Sequence, residues 1–328
     1  MYTKKISLLA ALLLLVVTAW AQGPNGTGKY YQAADGKKGK SLKTAMHSIV
    51  KTSHGTGYNN LYKAYHKTDV RKDGKLWDMY SNVTNYRLGS DECHGNYSKE
   101  GDNYNREHSF PRSWFGGKRE PMNSDIHHIY PTDSYINGQR GSLPYGEVDT
   151  RSSYKGSKNM FSKWGKCRTK GYSGTVFEPD DEYKGDVART YFYMATSYED
   201  KISGWNSDML NHDKYNAFKP WAMEMLLRWA KEDPVSEKEI KRNNEAYKVQ
   251  GNRNPFIDYP GLEQYIWGSN MDKEFSYDEY ESKPDDSAVD NVVADMPADG
   301  KTYDIMGREV NDSYKGIVIK NGKKQLAN

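Results

Sequence analysis

A chain of 328 residues with 47 Lys and Arg against 44 Asp and Glu, net +3, has room for one large domain or two small ones. Only 36% of it is hydrophobic and its mean hydropathy is −0.96, so the core must be economical, and 27 Tyr and 8 Trp supply much of it with polar-tipped rings. The charge is uneven: residues 269–328 hold 8 Lys and Arg against 13 Asp and Glu, and with two leader lysines set aside the body 22–268 is net +6, which suits a polyanion partner.

Residues 1–21 place Lys4 and Lys5 before an apolar run of about a dozen residues and then Ala19, Trp20 and Ala21, the pattern of a cleaved secretory leader. The run is short for a membrane span and no later stretch is long enough, so the expected product is exported, to the periplasm or beyond, without membrane insertion. An oxidising destination permits a disulfide between the only two cysteines, Cys93 and Cys167, with two free thiols as the alternative. Closing that loop of about 75 residues is worth ~4 kcal/mol in the chain-entropy account.

Residues 22–40, rich in Gly and Lys, read as a loose arm. Leu42, Ala45, Met46 and Ile49 recur at helical spacing, residues 58–69 read as a second helix, and residues 77–82 as a strand. Residues 104–110 read as extended up to Pro111, which cannot continue a ladder. Neighbours on a strand face opposite ways, so Glu107 and His108 share one site only near a strand end or bend. After the cluster Asp125, His127 and His128, Thr132 or Asp133 is the expected cap of a short helix. That helix buries Ile136, turns Asn137 toward the strand end and closes at Gly138 or Gly141.

Residues 149–170, with many Ser, Lys and Arg, read as a polar loop. Asp186 is the expected cap of a helix running to about Tyr198 with Val187, Tyr191 and Met194 inward. Pro220 opens the next helix and Asp233 with Pro234 closes it. Ser236 to Glu239 forms a capping box for a helix ending at Gly251. Residues 269–300 read as an acidic linker and residues 301–328 as two short strands.

Glu107 and Asn137 offer hard oxygens suited to Mg²⁺, His108 is a base that works near neutral pH, and Arg140 is a forked donor for phosphate. These are the parts of a metal-assisted phosphodiester hydrolase. The stretch also resembles the bacterial secreted endonuclease I family, nonspecific nucleases of the His-Me finger class. Glu107 and His108 match its E-H, residues 125–128 its D-[apolar]-H-[H/N], and residues 137–140 its N-G-x-R. The likeness runs from about residue 42 to 267 and returns in Phe177, Glu178 and Pro179, in residues 184–189 and in residues 252–258.

The resemblance implies an α+β fold, a ββα-metal core set in a largely helical domain with long loops. It implies His108 as general base and one Mg²⁺ on Glu107 and Asn137, with Ca²⁺ or Mn²⁺ as substitutes. Asp125, His127 and His128 would stand behind the ligands, and Lys118, Arg119 or Arg140 would hold a phosphate oxygen. The substrate would be DNA and also RNA, cut by a monomer to leave 5′-phosphate ends. Two other readings stay open: a nucleic-acid-binding surface protein without turnover, and a Zn²⁺ hydrolase built on His127 and His128. Residues 301–328 resemble, in truncated form, the carboxy-terminal sorting modules of some secreted Gram-negative proteins.

Overall fold

The structure is a computed structural model and describes residues 23–51, 55–280, 302–304, 309–310, 316–320 and 323–327. The expected leader and the 281–300 part of the expected linker lie outside the described residues. The chain divides into two units, Met1–Ser282 and Lys283–Asn328.

In the first unit, α1 (Gly39–Val50) forms where Leu42, Met46 and Val50 recur every fourth residue, and all three are fully buried. A 3₁₀ turn, Tyr58–Asn60, leads into α2 (Leu61–Thr68), which buries Leu61, Ala64 and Tyr65. Strands β1 (Tyr104–His108) and β2 (Ile129–Asp133) pair antiparallel, with Tyr104 opposite Asp133 and His108 opposite Ile129. Helix α3 (Ser134–Arg140) follows directly. Asp133 is its cap, its Oδ1 accepting the Ile136 N–H at 2.8 Å, and the helix stops at Gly141 with a positive φ of 54°.

Strands β3 (Tyr154–Gly156), β4 (Lys163–Lys166) and β5 (Thr175–Glu178) make a three-stranded antiparallel sheet. Most of it lies where the sequence reads as a polar loop. Those polar residues become strand because β5 backs them with buried Val176 and Phe177.

Helix α4 (Lys184–Ser197) is buried along its whole length and packs against α1, α5 (Pro220–Glu232) and α7 (Pro255–Asp258). Pro220 opens α5, and the Ser236–Glu239 capping box opens α6 (Glu237–Gln250), which ends at left-handed Gly251. Helix α8 (Leu262–Ile266) completes the unit. Asp186 does not cap α4: it lies inside the first turn, facing Arg189 at 3.7 Å and paired with Lys238.

Three other expectations are corrected. Residues 23–40 are not a loose arm: Tyr31 and Ala34 are fully buried, and the Tyr31 hydroxyl donates to Asp258 at 2.7 Å. Residues 77–82 form no strand, because their polar groups serve cross-chain contacts instead, such as Asp78 with Thr84 and Ser81 with Glu100. The body also continues past residue 268, since Phe275 and Tyr277 belong to its core. Among the described residues the second unit carries four strands where two were expected. These are β6 (Thr302–Asp304), β7 (Glu309–Val310), β8 (Gly316–Lys320) and β9 (Lys323–Ala327), in the order β7-β6-β8-β9.

Cys93 and Cys167 are free thiols rather than a disulfide. The Cys93 N–H is bonded to Tyr104 O beside β1, whereas Cys167 is buried with Val148 and Val176, so each is fixed in a different neighbourhood.

Candidate active site

The carboxy-terminal end of β1 collects the chemistry. Asn105 and Glu107 share one face of the strand and Arg106 and His108 the other, as a two-residue side-chain period requires. Helix α3 covers the first face with two residues one turn apart. Asn137 Nδ2 donates to Asn105 Oδ1 at 2.7 Å, and Arg140 Nη1 donates to Glu107 Oε1 at 2.7 Å.

Arg140 is therefore not a phosphate-facing residue. It is completely buried, and beyond Glu107 it donates to His108 O at 2.8 Å and Ser109 O at 2.7 Å, under the ring of Tyr145. A guanidinium so engaged binds the turn after β1 to α3 and has no free fork for a ligand. Burial pushes the Glu107 carboxyl up, against the pull of Arg140 and of the Tyr80 hydroxyl, which donates to Oε1 at 2.8 Å. Both bonds fall on Oε1. Among the described residues Glu107 Oε2 and Asn137 Oδ1 make no hydrogen bond, and neither is a sealed atom lacking a partner.

On the other face, the His108 ring is 5.8 Å from the Tyr58 ring, nearly parallel to it, and 5.5 Å from the His128 ring. Its Nε2 lies 3.1 Å from Asn123 O. A carbonyl only accepts, so Nε2 carries the hydrogen and the lone pair of the neutral ring sits on Nδ1, which has no partner among the described residues. Burial holds His108 well below the usual histidine range, with His128 and Arg112 adding to the shift. The ring is a neutral base.

Asp125, His127 and His128 form the wall behind this base. Asp125 accepts from Tyr193 and Tyr198 on Oδ2, at 2.8 and 2.7 Å, and from Gln250 on Oδ1 at 2.7 Å. Burial alone would raise its carboxyl, but His127, His128 and these donors outweigh it and hold the group low. His127 Nε2 donates to Asn252 O at 3.0 Å and His128 Nε2 to Met122 O at 2.6 Å, and burial lowers both, His127 to about 4. Each Nε2 is thus spent on a separate loop carbonyl. Among the described residues no three His, Cys, Asp or Glu side chains are placed to share an ion, which leaves the Zn²⁺ reading without a ligand set. Lys118 and Arg119 are exposed beside a shallow hollow shared with Gly116 and Glu120.

Four further residues were not legible as site residues. Tyr58 stacks on His108, and Tyr80 holds Glu107. Arg106 lies 3.8 Å over Tyr58 and 4.3 Å over Tyr62. Arg242 Nη2 donates to Ile126 O at 2.8 Å and Ile129 O at 3.0 Å, fixing the entry to β2. Only Arg106 carried a signal, by sitting two residues before His108 on the same strand face.

The sequence profile of the endonuclease I family matches residues 38–261. An extracellular ribonuclease of Bacillus subtilis (strain 168) is 35% identical over 261 residues, 77% of this chain and 83% of the relative. Endonuclease-1 of Buchnera aphidicola subsp. Baizongia pistaciae (strain Bp) is 27% identical over 139 residues, 42% of this chain and 47% of the relative. An extracellular deoxyribonuclease of Aeromonas hydrophila is 27% identical over 139 residues, 42% of this chain and 50% of the relative. Among the described residues no helix is long and apolar enough to cross a membrane.

Proposed function

The chain belongs to the endonuclease I family, and from that premise we propose that it is an exported, monomeric, Mg²⁺-dependent nuclease cutting DNA and RNA with little sequence preference. The observation that carries the mechanism is the state of His108: Nε2 is tied to Asn123 O, and Nδ1 is a lone pair at the end of β1 with no partner among the described residues. In this reading Nδ1 takes a proton from water, the resulting hydroxide bonds to phosphorus, and the P–O3′ bond breaks. The 3′ oxygen leaves and is protonated from solvent, so the ends are 3′-hydroxyl and 5′-phosphate.

The donor set fits one hard cation. Glu107 Oε2 and Asn137 Oδ1 are oxygens, make no hydrogen bond among the described residues and belong to β1 and the helix that covers it, and few protein ligands suit an ion that keeps its waters. A bound Mg²⁺ would neutralise charge on the scissile phosphate and on the leaving oxygen. Arg140 and Tyr80 orient Glu107, and Asn105 orients Asn137. Recognition through the backbone fits a body that is net +6 and a site with no base-reading element. Relatives named for ribonuclease and for deoxyribonuclease activity support both sugars as substrates.

The test is to incubate the full chain, without its leader, with plasmid and with RNA, stripped by EDTA and then resupplied with Mg²⁺ or Zn²⁺. Cleavage restored by Mg²⁺, 5′-phosphate ends spread across unrelated sequences, and loss of restoration in Glu107→Ala and Asn137→Ala are expected. Binding without cleavage under every condition would favour the non-enzymatic reading. Restoration by Zn²⁺ alone would overturn the ion assignment.

A further inference from the structure

Burying Arg140 removes one of the three cations expected to meet the phosphate, and the surroundings of His108 supply another. We propose that Arg112, on the turn that follows β1, is the residue that grips a phosphate oxygen of the substrate beside His108; this rests on the nuclease reading above.

Arg112 opens the 3₁₀ turn Arg112–Phe115, directly after Pro111 and four residues beyond His108. It is half-buried, and among the described residues its guanidinium makes neither an ion pair nor a side-chain hydrogen bond. What it faces is the ring of Tyr58, at 5.8 Å, and that same ring is stacked on His108 at 5.8 Å. Arg112 and the base thus share one aromatic neighbour.

The other cations near the site are less suited. Arg140 is sealed, with Nη1 and Nη2 spent on Glu107 Oε1 and the carbonyls of His108 and Ser109. Arg106 is clamped against the Tyr58 and Tyr62 rings, with Nη1 on Tyr58 O at 3.0 Å and Nε sealed from solvent. Lys118 and Arg119 are exposed farther along the chain, beside Glu120. Among the described residues, Arg112 alone of this group is both unpaired and in contact with a ring that stacks on the base. A half-buried cation without a carboxylate is under-compensated until an anion arrives, and a forked guanidinium fits two phosphate oxygens.

The experiment compares the full chain with Arg112→Ala and Arg112→Lys. Cleavage of a mixed-sequence duplex is followed under steady-state conditions, and binding of the same duplex is measured between low and moderate salt in a His108→Ala background. Arg112→Ala should lose at least roughly tenfold in kcat/KM and flatten the log Kd against log salt slope by about 0.9, the release of one counterion from duplex. Arg112→Lys should recover the slope but only part of the rate, since a single ammonium lacks the fork. Thermal melting of each variant separates misfolding from lost contact, because a structural role alone would lower the melting point and leave the salt slope unchanged. An active wild-type chain whose Arg112→Ala variant keeps both slope and rate overturns the assignment. A wild-type chain that neither binds nor cuts the duplex sinks the nuclease reading, and this role with it.

Discussion

The two faces of β1 are held by opposite means. On the face of Asn105 and Glu107, polar atoms are tied by direct bonds of 2.7–2.8 Å to Asn137, Arg140 and Tyr80, and the buried charge has a buried partner. On the face of Arg106 and His108 each residue has one hydrogen bond to a backbone carbonyl and the rest of the holding is done by rings: Tyr58 lies against His108, and Arg106 lies against Tyr58 and Tyr62. The difference follows from what each face must offer. In the proposed reading the oxygens of Glu107 and Asn137 act by staying where they are, and each residue has one polar atom spent on orientation and one without a partner among the described residues. As the proposed base, His108 must exchange a proton, and it is positioned through one nitrogen and its ring faces while the second nitrogen has no partner among the described residues.

The comparison breaks most visibly at Arg140. Its guanidinium serves three oxygens, and removing one partner of a buried ion pair leaves the other charge uncompensated. Arg140→Ala should therefore destabilise the first unit by ~3–5 kcal/mol. Urea unfolding checks this, and a variant as stable as the parent would mean that the first face does not depend on its charge pair. On the second face His108→Ala should keep the fold and duplex binding but lose at least ~10²-fold in cleavage rate. Near-normal cleavage would remove His108 from its role.

A third measurement probes how well the first face is sealed. Asp78 lies at the start of α3, the helix that covers it, accepting the Asp133 N–H at 3.1 Å and the Thr84 hydroxyl at 2.8 Å, and burial, with Asp133 adding, raises its carboxyl to about 7. A carboxyl raised on folding is protonated in the folded chain while already ionised in the unfolded one. Its stabilising contribution is present below about pH 3.8 and is lost as pH rises through about 7. Asp78→Asn should flatten the stability curve between those limits, each pH unit being worth at most ~1.4 kcal/mol. An unchanged slope in urea titrations would show that water reaches the group.

The smallest effect belongs to the ring on the second face. Tyr58→Phe should leave cleavage nearly as it was, while Tyr58→Ala should lose the ~0.5–1.5 kcal/mol of an aromatic contact and lower the rate several-fold. Equal rates for the two variants would mean that stacking does not position His108.

Local rules made much of this molecule legible. Asp133 capping α3, Pro220 opening α5 and the Ser236–Glu239 box of α6 follow from groups within four residues of one another. So does the split of Glu107 and His108 across a strand end, which needs only a two-residue period. The ordered set of Glu107, His108, Asp125, His127 and Asn137 was enough to point to the family, because so many reactive side chains at fixed spacing seldom recur by chance.

What only the tertiary structure decided is the fate of each charge. Arg140 reads as a surface cation until Glu107 and the carbonyls of His108 and Ser109, some thirty residues earlier, close around it. Arg112 gives no local sign of being left unpaired, Tyr58 arrives at His108 from fifty residues upstream, and the polar 149–170 stretch becomes sheet through β5. Caps and periods act within a turn or a strand and are written in adjacent letters. Burial and charge pairing depend on which distant segments meet, and that is fixed only when the core closes.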